Sequence, residues 1–306
     1  MSALDDLVVS GALRSGVSIA GLTTYKLGGP ARYYLEAEDE AQLVSIGDSV
    51  RDEPLLVLGR GSNLIVSDEG FPGLVIHLGA GFVGTELGGD GTVTSGAATS
   101  MPSLARTCAQ AGRGGLEFLI GIPGSVGGGV RMNAGCHGSE TKDWLRSARV
   151  VELRRATVSE RKPDDLEMTY RRTNLQADEV VTFATFTTEP RERHAMEETM
   201  RGIIRWRRRH QPGGTLNAGS VFKNPPGDSA GRVIDSLGLK DTRIGGAHVS
   251  TKHANFFVAD KGVRAQDVYD LVWAVRRRVG VELGIWLQPE VQFAGPFRPS
   301  PDEEAH

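Results

Sequence analysis

Long apolar runs are missing from this 306-residue chain: no stretch approaches 18 uninterrupted apolar residues, which argues against a membrane-spanning helix. Cysteine is nearly absent. Cys108 and Cys136 are the only two and form no CxxC, so neither a disulfide scaffold nor a structural zinc site is indicated, and no metal is expected. An excess of one charge is also lacking. Lys+Arg number 35 against 38 Asp+Glu, and a net charge of −3 does not suit a protein that coats nucleic acid or an anionic membrane. The N-terminal MSALDDLVVSGALRSG is acidic early and has no continuous apolar core, unlike a secretory signal. The expectation is a soluble cytoplasmic protein with no nucleic-acid or membrane partner; a monomer is expected.

Glycine is what the chain has in excess: 40 of 306 residues, about 13% against an average near 7%. Disorder is a poor explanation at 39% hydrophobic residues, and no three-residue period suggests collagen. The glycines are clustered. Residues 59–138 hold 21 of them, whereas 139–210 hold only Gly202. Such a cluster fits loops shaped around a ligand, and equally a β domain full of tight turns.

Local pattern supports an α+β layout. Arg32–Ala37, Leu55–Leu58, Leu74–Leu78, Gly91–Ser95, Ser147–Leu153 and Glu179–Thr187 read as strands, being short apolar or alternating runs. Asp39–Val50 and Met101–Ala111 have helical spacing, with Asp39 and Ser100 as caps. Arg191–Arg209 reads as a long charged helix ended by Gln211-Pro212-Gly213-Gly214, the best domain boundary. Beyond it, helices are expected at Ser229–Leu237 and Arg264–Val279, with strands at Ala254–Val258 and Trp286–Phe293. Arg276-Arg277-Arg278 is expected at the surface.

Gly79-Ala80-Gly81-Phe82-Val83-Gly84 matches GxGxxG, but a dinucleotide fingerprint needs a helix to open there. The glycine-rich Thr85–Gly91 that follows forbids one. Phosphate-loop, HExxH and GxSxG motifs are absent. Cys136-His137 is a poor nucleophile and base, because adjacent side chains rarely face each other. Two segments suit an anion better. Gly59-Arg60-Gly61-Ser62-Asn63 follows a buried-looking strand, and its amides can line a concave anion site. Gly121-Ile122-Pro123-Gly124-Ser125-Val126-Gly127-Gly128-Gly129, leading to Asn133, offers many amides and few side chains.

Together with Leu27-Gly28-Gly29-Pro30, these segments resemble the flavin domain of the UDP-N-acetylenolpyruvoylglucosamine reductase (MurB) family, within the vanillyl-alcohol-oxidase-like FAD proteins. The resemblance continues through Thr169-Tyr170-Arg171, Ala218-Gly219-Ser220-Val221-Phe222-Lys223-Asn224-Pro225, Lys252-His253-Ala254-Asn255-Phe256-Phe257 and Pro289-Glu290-Val291, in the family's order over roughly residues 22–295. Asn255 stands where Gly is expected, and Leu287-Gln288-Pro289 is atypical. The length fits the shorter type without an extra substrate-capping loop.

The resemblance implies a two-part FAD-binding domain over 1–205 (subdomains 1–80 and 81–205). A smaller α+β substrate-binding domain over 206–306 follows, its last strand returning Glu290 to the flavin cleft. It implies NADPH as hydride donor, tightly bound FAD, and reduction of UDP-N-acetylglucosamine enolpyruvate in peptidoglycan precursor synthesis. Hydride would come from flavin N5, the proton from Ser220, and charge stabilisation from Arg171 with Glu290 beside it. Gly59, Arg60, Gly61, Ser62, Asn63, Gly121, Ile122, Pro123, Gly124, Ser125, Gly127, Gly128 and Asn133 would hold the cofactor. Tyr170, Lys223 and Asn224 would face substrate. Arg205–Arg209 would either meet a diphosphate or form a solvated helix end. The alternatives are a related FAD-dependent alcohol or lactone oxidase, and a non-catalytic UDP-sugar-binding regulator.

Overall fold

The computed structural model describes residues 3–303, and its elements follow the polarity pattern closely. Strands Leu55–Leu58 and Glu179–Thr187 have the expected bounds; Pro30–Ala37, Phe71–Leu78, Thr92–Gly96 and Leu145–Glu152 differ from expectation only at their ends. Ser100 caps the helix Met101–Gln110 by accepting from the Ser103 amide, and Asp39 caps Glu40–Ser45 by accepting from the Gln42 amide. The expected Asp39–Val50 helix is split: Gly47–Val50 tightens into a 3₁₀ turn, as the weak helix propensity of glycine favours.

The described residues divide into two compact units that are interleaved along the chain, where sequence reading expects consecutive ranges. The first takes residues up to Ser15, Tyr33–Arg60 and Gly73–Arg207; the second takes Gly16–Arg32, Gly61–Pro72 and the described residues from Arg208. The interleaving follows from pairing between distant segments, such as the parallel match of Leu64–Val66 with Gln292–Ala294 in the second unit.

The first unit is built on a five-stranded antiparallel sheet ordered Thr157–Arg161, Leu145–Glu152, Glu179–Thr187, Thr92–Gly96, Thr85–Leu87. Alternation along these strands sends Val93, Val150, Val180 and Ala184 into the core. Helix Arg193–His210 buries Met196, Met200 and Ile203, one face at spacings of four and three. No helix opens at the GxGxxG segment: Ala80–Phe82 is a 3₁₀ turn followed by the strand Thr85–Leu87. Its Gly81 amide donates to Glu38 Oε2 at 3.0 Å, so the motif is a turn wrapped on a carboxylate.

In the second unit, Arg243–Ile244, Ala247–Val249 and Phe257–Ala259 form an antiparallel sheet against helices Ala230–Ser236 and Ala265–Leu283. Two expected strands are shorter here. His253–Phe256 closes a turn (Phe256 N–H to His253 O, 2.9 Å), so the ladder starts at Phe257 rather than Ala254. Over 286–293 only Gln292–Ala294 is laddered, because Pro289 has no amide to donate. Arg276 departs from its expected surface place. Its guanidinium lies 5.4 Å and 5.1 Å from the Trp273 and Trp286 ring centres and bonds the Leu287 carbonyl, while Arg277 and Arg278 pair with Asp302 and Glu282.

The start of the long helix is capped from afar. Asp68 accepts from the amides of Ala265 (2.8 Å) and Gln266 (3.1 Å), whereas the preceding residue, Arg264, makes no side-chain cap. A carboxylate there satisfies two orphan donors and meets the positive end of the helix dipole. Asp68→Ala is therefore expected to cost about 1–2 kcal/mol, read as a lowered urea midpoint for the transition of this unit. An unchanged midpoint would mean that water replaces the cap. No helix among the described residues is long and apolar enough to cross a membrane.

Candidate active site

In the first unit the two glycine segments meet. A Cβ on Gly59 would stand 2.5 Å from Ser125 Oγ, so only a bare backbone fits between them. Ser125 is buried and caps the short helix Val126–Arg131. The amides of Val126 and Gly127 are already spent on the carbonyls of Thr99 and Ala97, and Gly128 N–H points at Ser125 Oγ. Among the described residues, the amides of Gly59, Arg60, Gly124 and Ser125 have no acceptor. Of the long glycine segment, then, it is the Gly124–Ser125 corner that has donors to offer. Gly127 and Gly128 supply room. Gly121 closes a 3₁₀ turn that Ile122 leaves in extended form.

Tyr170 and Arg171 occupy the tip of a two-residue turn, closed by reciprocal bonds between Thr169 and Arg172 (3.0 and 3.1 Å). Arg171 is left-handed, with φ +55°, a conformation that costs roughly 1–2 kcal/mol for a side chain with a Cβ. Its guanidinium donates to the carbonyls of Asn133 (3.3 Å) and Gly135 (2.5 Å) and lies 4.9 Å from the Tyr170 ring centre. Tyr170 itself is 43% exposed. Asn133, expected on the cofactor, is fully buried and its amide is spent inside the protein: on Glu140 Oε2, the Thr169 carbonyl and the Lys142 amide. What it offers is order in the loop that carries Arg171.

Cys136 is no nucleophile. Burial pushes its thiol up to about 11 despite Arg207 and Arg171 nearby, and it donates to the Phe118 carbonyl. His137 packs edge-on to Trp206, with ring centres 5.1 Å apart. A cavity of about 520 Å³ opens in this unit between Phe118, His137, Trp144, Arg191, Ile203 and Trp206; none of the expected site residues lines it.

In the second unit, Gly61 is the glycine of this turn whose freedom is required. Its φ is +57°, and a Cβ would fall 2.5 Å from Leu22 O and 2.6 Å from Thr23 Cα. Neither the amide nor the hydroxyl of Ser62 has a partner among the described residues. Asn63 is already engaged: Nδ2 donates to the Glu290 carbonyl (3.0 Å), and its carbonyl accepts from Gln292 (2.9 Å). An expected cofactor ligand thus holds the strand that bears Glu290.

Ser220 lies on the central one of three extended segments. On one side it bridges to Phe256, and the Val221 amide donates to the Asn255 carbonyl. On the other, the Glu290 amide donates to the Val221 carbonyl at 2.7 Å, and the Lys223 amide to Gln288. Asn255, 3% exposed, grips the Phe222 backbone at both ends of its amide (2.9 and 2.8 Å). The backbone is therefore fixed from both edges, while the Ser220 hydroxyl has no hydrogen-bond partner among the described residues. Glu290 is half-buried. Lys223 makes no ion pair among the described residues, whereas Asn224 Oδ1 accepts from the Ala230 amide and leaves its Nδ2 end for a ligand. Asn255, Glu140 and Thr169 are the contributors that sequence reasoning missed. A buried amide inside an apolar run was the available signal for the first, and local pattern held none for the others.

The bare-backbone corner at Gly59 and Ser125, with unspent amides, suits the diphosphate of a flavin dinucleotide. The general model of an FAD binding domain matches residues 31–159, which makes this a flavin-binding protein of two-domain α+β type. The C-terminal domain of UDP-N-acetylenolpyruvoylglucosamine reductase matches residues 211–294. Two reductases of that name, from Parasynechococcus marenigrum and Gloeobacter violaceus, are 40% and 41% identical to this chain, covering 93% and 92% of it and 96% of each relative. The crystal structure of the Thermus caldophilus enzyme superposes with a TM-score of 0.81 at 38% identity, over 92% of this chain and all of that one. The chain belongs to the UDP-N-acetylenolpyruvoylglucosamine reductase family.

Proposed function

We propose that the protein reduces UDP-N-acetylglucosamine enolpyruvate to UDP-N-acetylmuramate with NADPH, in peptidoglycan precursor synthesis. The observation that carries the catalytic assignment is Ser220: a backbone pinned on both edges and a hydroxyl left unspent, as a positioned proton donor requires. Bound FAD supplies the relay of a hydride from NADPH to the enolpyruvyl alkene.

Gly59, Arg60, Gly61, Ser62, Gly124 and Ser125 hold the cofactor through main-chain donors. Gly121, Ile122, Pro123, Gly127 and Gly128 give it room. Arg171 meets the substrate carboxylate, where negative charge accumulates as the alkene is reduced; a planar guanidinium keeps its charge and can bind both oxygens. Ser220 gives its proton to the adjacent carbon, and Glu290 supports the polarisation of the carboxyl group. Tyr170, Lys223 and the Nδ2 of Asn224 bind the UDP-sugar. Residues 1–205 form the FAD-binding part and 206–306 the substrate-binding part, although Gly16–Arg32 and Gly61–Pro72 fold with the second unit; the Pro212-Gly213-Gly214 break and the C-terminal family match from 211 support that division. Two free thiols suit the cytoplasm, and a net charge of −3 suits a protein without nucleic-acid partners; we take it as a monomer.

The test is a visible spectrum of the purified protein, followed anaerobically. NADPH should bleach the flavin bands, and the enolpyruvyl substrate should restore them. A colourless protein that takes up no FAD on reconstitution would overturn the reading.

A further inference from the structure

Arg171 sits in a strained conformation on a two-residue turn, and the turn's own closing bonds, between Thr169 and Arg172, do not touch the guanidinium. Among the described residues, the Asn133 side chain ties the turn to the loop whose carbonyls receive the guanidinium. Asn133 Nδ2 donates to Thr169 O at 2.9 Å, and Asn133 O accepts Arg171 Nη1 at 3.3 Å. Its amide has a single workable orientation. Oδ1 takes the Lys142 amide at 3.0 Å, while Nδ2 serves two acceptors, Thr169 O and Glu140 Oε2. A flipped amide would set oxygen against two acceptors. Asn133 is itself left-handed at φ +40°, which asparagine tolerates better than most residues, and it is fully buried. No other standard side chain combines that conformation, that length and two donors beside one acceptor.

We propose that Asn133 is a positioning residue for Arg171: it joins the Tyr170–Arg171 turn to the Asn133–Gly135 loop, and so sets where the guanidinium points. This rests on the charge-stabilising role of Arg171 given above. It moves Asn133 from the expected cofactor ligands to the supports of the charge-stabilising residue.

The discriminating variant is Asn133→Asp, which keeps the acceptor for Lys142 and turns both donors into acceptors. In the flavin-loaded enzyme it should slow substrate-driven reoxidation by about 100-fold, the scale of a misplacement near 1 Å, and leave NADPH-driven flavin reduction within about twofold. In an Arg171→Ala background the same change should add less than about twofold, because its effect runs through the guanidinium. Hydrogen–deuterium exchange at the Thr169 and Arg172 amides should quicken by about tenfold relative to amides elsewhere in the same unit. Equal losses in both half-reactions, full additivity with Arg171→Ala, or unaltered exchange would each overturn the proposal. If Asn133→Asp does not take up flavin, Asn133→Gly keeps the left-handed backbone and deletes only the amide; failure of both to fold would make Asn133 a general stabilising residue and also overturn it. Should Arg171→Ala alone leave reoxidation unchanged, it is the role of Arg171 that falls, and the exchange measurement then decides the tie by itself.

Discussion

Ser220→Ala is expected to slow reduction of the enolpyruvyl substrate by about 10⁴-fold, the upper range for loss of a general acid, while NADPH-driven flavin reduction stays within about twofold. The prediction is sharp because the hydroxyl contributes nothing visible to the fold. It has no partner among the described residues, and the strand is held by main-chain bonds to Asn255, Glu290 and Gln288 and by the side chain of Asn255. Alanine should therefore leave stability within about 0.5 kcal/mol, as for other substitutions that remove no contact. Single-turnover measurement of the two half-reactions separates the cases. Equal loss in both would show Ser220 to be structural.

Arg171→Lys should cost about 10²–10³-fold in the same half-reaction, the scale seen when one preorganised donor is lost from a charge-stabilising site. Lysine retains the charge and carries the same Cβ, so the strain at φ +55° is common to both. What it loses is the planar fork. The fork's donors reach the carbonyls of Asn133 and Gly135, which fixes the plane of the guanidinium; an ammonium on a flexible stem cannot be oriented that way. Rates of substrate-driven flavin reoxidation check this, and a lysine variant at wild-type rate would show that charge alone suffices.

Much of the fold was legible because its causes are local. Strand Leu55–Leu58 and the caps at Asp39 and Ser100 follow from apolar spacing and from side-chain oxygens within three residues of the amides they satisfy. The rejection of GxGxxG as a dinucleotide site was legible for the same reason: glycines at 88, 89 and 91 cannot support a helix there. The family was legible from seven motifs in register. Where reading and structure differ, the causes are partly local, as with Gly47 in the Asp39–Val50 helix, and partly remote. The strand expected over 286–293 contracts because Pro289 has no amide to donate, whereas Arg276 is drawn between two tryptophans, of which Trp286 lies beyond its helix.

The sequence by itself thus determined the α+β class, the reductase family and the identities of Arg171, Ser220 and Glu290 as candidates, since residue type and order suffice for those. Only the tertiary structure decided which groups remain unspent. Asn63, Asn133 and Asn255 look alike in sequence as polar residues near glycine or apolar runs; folded, all three are clamps on backbone far from them in the chain. An asparagine amide offers two donors and an acceptor wherever it lies, and what it binds is set by the segment that folding brings against it. The excess of glycine is resolved in the same way: folding brings Thr99, Ala97 and Ser125 to the amides of Val126, Gly127 and Gly128, and among the described residues it brings no acceptor to those of Gly59, Arg60, Gly124 and Ser125.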